Sequence, residues 1–570
     1  MKSKTYVFSL VAVLSLLLVN VVNARGEDSR EPIDPFWQGA TVYFMMTDRF
    51  KNGNSANDRV LNRGQNGAVM RNFMGGDIQG ITDKINDGYF SDLGVDVLWM
   101  TPLNEQIHGY WQDDWGDSYP FHGYWPKDWT SVDPNFGTEE QMREMIDAAH
   151  SKGIRVLADI ILNHTGPKTE LDKAWPDAWI RTRPLCDWKK HNFENTVRCA
   201  LSPSLTDIRT ESELPVTLPP FLLKKWEKDG RLMTELEELE SFFKRTKLPK
   251  APKNYLIKWV TDWVRDYGID GFRVDTAKHI EPAIWAVVKK EASSALSEWR
   301  LNHPDKMIDK KPFFMMGEVF EFGLDGFRYT PKGTSLYDYG DVQVDFYDYG
   351  FDSLINMSFA SHASKPMPEL FQLYADELRS DAFIGKGVLN YLVSHDDPEP
   401  YDRERKRPYE AALKLMLAPG AAQIYYGDEL ARPLFAKGAI GDAHWRVPMN
   451  WSDLDGSNTQ ALLRHWQKLG QFRQAHRSIA IGHHRELQAE PYIFARQLKD
   501  KNGLLTDSVL VALGLNLGEK QISVYGVYED GSVLKDGYSG HTAVVENGKI
   551  AIKTDYSLLL LSEVDVVDKS

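Results

Sequence analysis

Three apolar runs in this chain each end in a carboxylate: GFRVD (271–275) closes on Asp275, PFFMMGE (312–318) on Glu318 and GVLNYLVSHD (387–396) on Asp396. A strand buried on both faces reads as a continuous apolar run. A charge at its C-terminal end costs desolvation energy that only a partner or a chemical task offsets. In a parallel α/β barrel such strand ends converge on one mouth, which is where the active site lies. The pattern thus constrains fold and chemistry together, toward acid/base work on a neutral substrate.

Five further runs have the same character: TVYFMMT (41–47), VDVLWMT (95–101), IRVLADIIL (154–162), SLINMSF (353–359) and AQIYYG (422–427). Helical patterns separate most of them, and those at 138–153 and 255–268 each stop at a glycine. Eight strands alternating with helices predict an α/β fold, a (β/α)₈ TIM barrel. More than 100 residues, rich in proline, separate the third strand from the fourth. That is too long for a βα loop and predicts a subdomain inserted after strand 3 at the active-site face. Within it, residues 224–245 are charged and helix-prone, and a peripheral surface helix is expected there rather than a lid. After about Arg477 the runs 492–498, 508–516, 520–528 and 557–564 read as short strands between turns, predicting a C-terminal β-sandwich. The expected division is a barrel over 25–164 and 255–477, the insertion over 165–254 and the sandwich over 478–570, with 25–37 as a loose leader.

The first 24 residues read as an export signal. Lys2 and Lys4 precede an apolar run from Phe8 to Val19, and small residues near Ala24 suit cleavage. The run falls short of the roughly 20 residues a membrane span needs, so no membrane insertion is expected and the mature protein should be periplasmic or secreted. Its loss removes two lysines and no acids, so the net charge of −14 becomes −16. Such a chain repels nucleic acid and anionic membrane. Cys186 and Cys199, the only cysteines, are expected to form one disulfide worth roughly 3 kcal/mol in the loop-entropy model. Two free buried thiols are the alternative, and a pair of cysteines alone makes a poor metal site.

The neighbours of the acids divide the labour. Arg273 lies two residues before Asp275, hence on the same face of a strand, and a guanidinium there favours an ionised nucleophile. The Phe-Met run before Glu318 desolvates that carboxyl and raises its pKa, as a general acid requires. His395 adjoins Asp396 and can donate to a substrate hydroxyl. A nucleophile, an acid and a third carboxylate suit glycoside hydrolysis.

At these positions the chain resembles the α-amylase family, glycoside hydrolase family 13. DIILNH (159–164), GFRVDTAKH (271–279), GEVF (317–320) and SHDD (394–397) match its four conserved segments in order. The resemblance covers nearly the whole mature chain, and it is nearest to the periplasmic and secreted bacterial α-amylases. It implies Asp275 as nucleophile, Glu318 as acid/base and Asp396 as transition-state stabiliser. It also implies Arg273, His164, His395, Tyr124 and His122 around the cleaved sugar, with Lys278 and Trp125 as further substrate contacts. Ser394 departs from the asparagine common in the family. The implied activity is retaining endo-hydrolysis of α-1,4-glucosidic bonds in an α-glucan or maltooligosaccharide. Alternatives are a maltooligosaccharide-forming enzyme or transglycosylase of the same family and, more remotely, a non-catalytic member. A monomer is expected.

Calcium enters twice. Asn52, Asn54, Asn57 and Asp58 crowd one short loop, and Gly75 and Asp77 follow; this oxygen-rich set suits Ca²⁺, although most such loops are plain turns. Its spacing resembles the calcium loop of cyclodextrin glycosyltransferases. The family resemblance implies a second set, Asn163, Asp207 and the His279 carbonyl, tying the insertion to the barrel.

Overall fold

The computed structural model describes residues 32–63, 66–397 and 399–564. The export signal assigned to residues 1–24 lies outside the described residues. Eight parallel strands close into a barrel in chain order: β1 (Thr41–Met45), β2 (Val97–Met100), β3 (Arg155–Ile160), β4 (Gly271–Val274), β5 (Phe314–Gly317), β6 (Ser353–Asn356), β7 (Gly387–Tyr391) and β8 (Ala421–Tyr425), with β8 back against β1. Nearly every strand residue is buried, as helices outside and packed side chains inside require. The (β/α)₈ expectation is met.

Local chemistry sets the helices. Glu139–Ser151 starts in a capping box, in which the Thr138 side chain and the Gln141 backbone and side chain satisfy one another. Pro252–Tyr267 starts on proline and stops at Gly268, whose φ of 76° lets its N–H close on the Val264 carbonyl. The supposed leader is shorter than read. Asp34 caps a helix at Pro35–Gly39, and Trp37 stacks on Phe314 at 4.2 Å, closing the N-terminal end of the barrel.

Between β3 and β4 the chain leaves the barrel. His164–Thr165, Ile180–Arg181 and Thr206–Ile208 form a small antiparallel sheet, and the Cys186–Cys199 disulfide closes the loop beside it. The charged stretch is two helices, Pro220–Lys228 and Leu232–Thr246, broken at Gly230 with φ 73°. Both lie against the outside of the barrel. Trp226 is buried with its Nε1 donating to Thr130, and Lys258 bonds Glu238 at 2.6 Å. A peripheral position is what the structure shows for this stretch.

The C-terminal region is a sandwich of a six-stranded antiparallel sheet and a two-stranded one. Period-2 alternation serves two cores at once. Ile493, Ala495, Leu510, Ala512, Leu559 and Leu561 fill the sandwich interior. Tyr492, Phe494, Val509, Val511, Leu558 and Leu560 point the other way and join the barrel core. Phe494 meets Phe371 edge to face at 5.6 Å. Phe494→Ala should therefore cost about 3–5 kcal/mol in denaturant unfolding, whereas Leu517→Ala, at an exposed position, should stay within about 0.5 kcal/mol.

Candidate active site

Strand register builds the site. Arg273 of β4 pairs directly with Asp159 of β3, so both side chains point into the barrel in one layer. One step beyond the ends of β4 and β5 come Asp275 and Glu318. The Arg273 guanidinium, 0% exposed, meets all three acids: Nη1 donates to Asp159 Oδ1 at 2.9 Å and Asp275 Oδ1 at 2.8 Å, and Nη2 lies 2.8 Å from Glu318 Oε1. The carboxylates of Asp275 and Glu318 are thereby held side by side by two nitrogens of one planar group.

One cation among three buried acids cannot keep all of them charged. Burial raises the Asp275 pKa to about 6; Arg273 pulls it back and Asp159 pushes it further. The sequence expectation that Arg273 dominates is thus too simple, because full desolvation outweighs a shared guanidinium. Glu318 is raised by burial, against Arg273 and with Asp275 adding to the rise. Its Oε2 accepts from Thr276 N at 3.0 Å.

Asp396 is treated differently. It lies five residues past the end of β7 rather than at the strand end itself, since the ladder stops at Tyr391 paired with Gln423. Burial opposes its ionisation, yet His395 and Arg446 together hold it well below the usual carboxylate range. His395 Nε2 sits 2.9 Å from Asp396 Oδ2, and Arg446 Nη2 closes on the other oxygen.

The substrate-side residues gather around this centre. Tyr124 donates its hydroxyl to Asp159 at 2.8 Å and stacks on His395 at 5.3 Å. His164 Nε2 contacts the Tyr124 carbonyl at 3.1 Å, and burial takes its pKa down to about 4. His122 accepts from Tyr124 N through Nδ1 and meets Trp125 edge to face. Lys278 donates to the Phe320 carbonyl and the Tyr337 hydroxyl, and burial lowers its pKa to about 8. With the three acids other than Asp159, these residues except Arg273 and His395 line one open cleft of about 1070 Å³.

Sequence reasoning passed over Asp159 and Arg446. Asp159 stands inside the DIILNH segment, and a carboxylate within the apolar run VLADII (156–161) was the available signal. Arg446 had none, because it reaches Asp396 across 50 residues of intervening chain. It extends the charge line outward, pairing with Asp442 at 2.7 Å, which in turn pairs with Arg71 at 2.6 Å.

The metal candidates divide. Among the described residues no three His, Cys, Asp or Glu side chains cluster for a metal, but Ca²⁺ also takes amide and carbonyl oxygens. In the 52–77 loop, Asp77 accepts N–H groups from Gly53, Asn54, Asn57 and Gly80 and so shapes the loop. Asn57 Oδ1 is buried without a partner, and Asp58 Oδ1 lies within 2.8 Å of the Asn52 amide. Gly75, at φ 88°, leaves the space a Cβ would fill against both. An orphaned oxygen, a carboxylate and a side-chain-free cradle fit a calcium ion; Asn54, whose Oδ1 accepts from Ala56 N, fits a turn instead. In the second set, Asp207 Oδ2 is buried without a hydrogen-bond partner among the described residues. Ile208 N donates to the Asn163 carbonyl and Asp207 pairs with His164, but Arg181 Nε already lies 2.5 Å from Asp207 Oδ2. Burial still pushes Asp207 up to about 8 against Arg181. His279 turns its Nδ1 to the Thr196 carbonyl at 2.8 Å, which ties the insertion to the barrel.

Comparison with known proteins agrees with this geometry. Residues 44–477 match the family described as "Alpha amylase, catalytic domain". The chain is 35% identical to a periplasmic alpha-amylase of Escherichia coli (strain K12) over 85% of its own length and 73% of the relative's. It is 26% identical to a cyclomaltodextrin glucanotransferase of Geobacillus stearothermophilus, over 92% and 66% respectively. The solved alpha-amylase from Geobacillus thermoleovorans complexed with acarbose shares the fold at a TM-score of 0.61 and 19% identity, covering 93% of this chain and 99% of that one.

Removing the shared cation exposes the logic of the centre. Arg273→Gln should destabilise the protein by about 3–5 kcal/mol near pH 8. The stranded acids then have folded pKa values above their unfolded ones, so their penalty is greatest at high pH and fades as pH falls through the folded pKa, already about 6 for Asp275. Melting curves of variant and parent should therefore converge between pH 8 and pH 5; a gap that widens on acidification would contradict the shared-cation account.

Proposed function

The chain belongs to the α-amylase family and is a glycoside hydrolase, and on that premise we propose that it cleaves internal α-1,4-glucosidic bonds of α-glucans with retention. The observation that carries the reading is the single Arg273 guanidinium holding Asp275 and Glu318 together, because retention needs two closely spaced carboxyls. Asp275 attacks the anomeric carbon as the C1–O bond breaks, and Glu318 gives its proton to the departing oxygen. Glu318 then takes a proton from water, whose oxygen bonds to C1 and expels Asp275. Asp396, kept anionic by His395 and Arg446, faces the positive charge that develops on the sugar ring. Tyr124, stacked with His395, presents an aromatic face to that ring, and His122 and His164 flank it.

The cycle starts from ionised Asp275 and protonated Glu318. Because burial sets Asp275 near 6, kcat/KM on amylose should fall about tenfold per pH unit below that value. Asp275→Asn and Glu318→Gln should each lower kcat by at least about 10³-fold, and the first product should carry the α configuration. Inversion, or substantial turnover in either variant, would refute the roles. A product time course on maltoheptaose separates hydrolysis from transfer to a sugar acceptor.

For the metal, we propose one Ca²⁺ ion in the 52–77 loop, held by the side-chain oxygens of Asn57, Asp58 and Asn52 with the Gly75 carbonyl. Bound there it would contribute stability by linkage and take no part in proton transfer. Strong chelator should lower the melting temperature of the parent but not that of Asn57→Ala; equal curves for the parent with and without chelator would remove the site. The basic start and apolar run of residues 1–24 support export to the periplasm or beyond. No helix among the described residues is long and apolar enough to cross a membrane.

A further inference from the structure

The ladder between β4 and β5 breaks its rhythm at the active site. Phe314 N donates to the Asp270 carbonyl at 3.1 Å, and Glu318 N to the Val274 carbonyl at 2.9 Å. Rungs of a parallel ladder are evenly spaced, so the next would take Thr276 N to the Glu318 carbonyl. Ala277 N occupies that carbonyl instead, at 2.9 Å. The displaced Thr276 N–H turns to the Glu318 side chain and meets Oε2 at 3.0 Å. The end of β4 thus holds one extra residue, directly after Asp275, in the manner of a bulge that re-aims a group beside an active site.

That extra residue is strained. Thr276 lies at φ 50° and ψ 37°, in the left-handed region that a β-branched residue rarely enters. Its hydroxyl is buried without a hydrogen-bond partner among the described residues, so the side chain offsets none of the strain. The turn is held by its neighbours: His279 N closes on the Thr276 carbonyl at 2.9 Å, and Trp285 Nε1 donates to the Ala277 carbonyl at 3.1 Å. Strain of this kind persists where the surroundings over-determine it, and its consequence here is an amide N–H aimed at a carboxyl.

The two oxygens of Glu318 consequently have unlike neighbours. Oε1 lies 2.8 Å from Arg273 Nη2, which belongs to a permanent cation, whereas Oε2 faces a neutral amide. A guanidinium bonds best to the oxygen that bears more negative charge, so the proton of the neutral acid resides on Oε2. As the Oε2–H bond breaks and the proton bonds to the glycosidic oxygen, the electron pair stays on Oε2. The Thr276 N–H already faces it. A hydrogen bond to a charged acceptor is about twice as strong as one to a neutral acceptor. The contact therefore tightens while the proton leaves, and an interaction that is stronger in the transition state accelerates the step.

Resting on the retaining-hydrolase reading above, we infer that Thr276 is a positioning residue for the acid/base: its backbone N–H assigns the transferable proton to Glu318 Oε2 and steadies the charge left there. In the second half of the cycle the same oxygen takes the proton from water. The displaced rung after Asp275 thereby ties the nucleophile's strand to the proton-transfer atom of the next strand.

The test replaces Thr276 in the full chain by its α-hydroxy analogue, which keeps the side chain and exchanges the backbone N–H for an ester oxygen. On maltoheptaose kcat should fall about 10–100-fold, the range for losing a hydrogen bond to a charged group. On α-maltotriosyl fluoride, whose leaving group needs little protonation, the loss should stay within about threefold. The basic limb of kcat/KM should move up by about one pH unit, because ionised Glu318 loses a donor. Thr276→Gly, which keeps the N–H and accepts a left-handed backbone, should hold that limb at its parental pH, whatever it does to kcat. Neutron diffraction of parent crystals in acidic heavy water should show deuterium on Oε2; deuterium on Oε1 overturns the inference regardless of how the ester variant folds. An equal loss on both substrates, or an ester variant with parental kcat and limb, overturns it too while the parent still cleaves maltoheptaose. A parent that leaves every α-glucan intact overturns the proposed activity and, with it, the inference.

Discussion

One fully buried guanidinium organises the mouth of this barrel. Arg273 must neutralise Asp159, Asp275 and Glu318 at once, and it cannot hold all of them fully ionised. Desolvation therefore leaves Asp275 near 6 and Glu318 above its ordinary value. A scarcity of positive charge, rather than any single contact, raises both carboxyls above their ordinary values. Asp396 lies outside that arrangement, with its own cation in Arg446 and its own histidine, so it stays an anion. Three carboxylates within one cleft thus acquire different charges from different neighbours.

The insertion after β3 serves the same centre from above. Its small sheet begins at His164, which touches Tyr124, and continues through Asp207, which lies beside Arg181. The His279–Thr196 contact ties the cleft wall to the barrel. The two helices of the 220–246 stretch do not enter the cleft. They pack on the outside against Thr130, Trp259 and Glu291 and brace the helix leading into β4, which carries Arg273 and delivers Asp275.

Much of the fold was legible because strand periodicity and burial are local properties. The eight runs fall where the barrel strands are, and alternation at 492–495 marks a sheet with two buried faces. The departures have local causes too: Gly230 breaks what reads as one helix, and Asp34 caps a helix where a loose leader was expected. The candidate site was legible in its motif residues but not in its couplings. Asp159 is silent until strand register sets it opposite Arg273. Arg181, from another strand of the insertion, is likewise not seen beside the Asp207 carboxylate until the fold sets them together.

By itself the sequence determined the barrel, the order of its strands, the placement of Asp275 and Glu318 at two strand ends, and the kinship that the conserved segments carry. These follow from spacing along one chain. Only the tertiary structure decided that Arg273 is shared, that burial outweighs it at Asp275, that Arg446 fixes the charge of Asp396, and that the Thr276 N–H meets the Glu318 carboxyl. Each depends on desolvation or on contact between residues far apart in the chain, and neither exists until the loops after β2, β3, β4, β5, β7 and β8 have closed around one space.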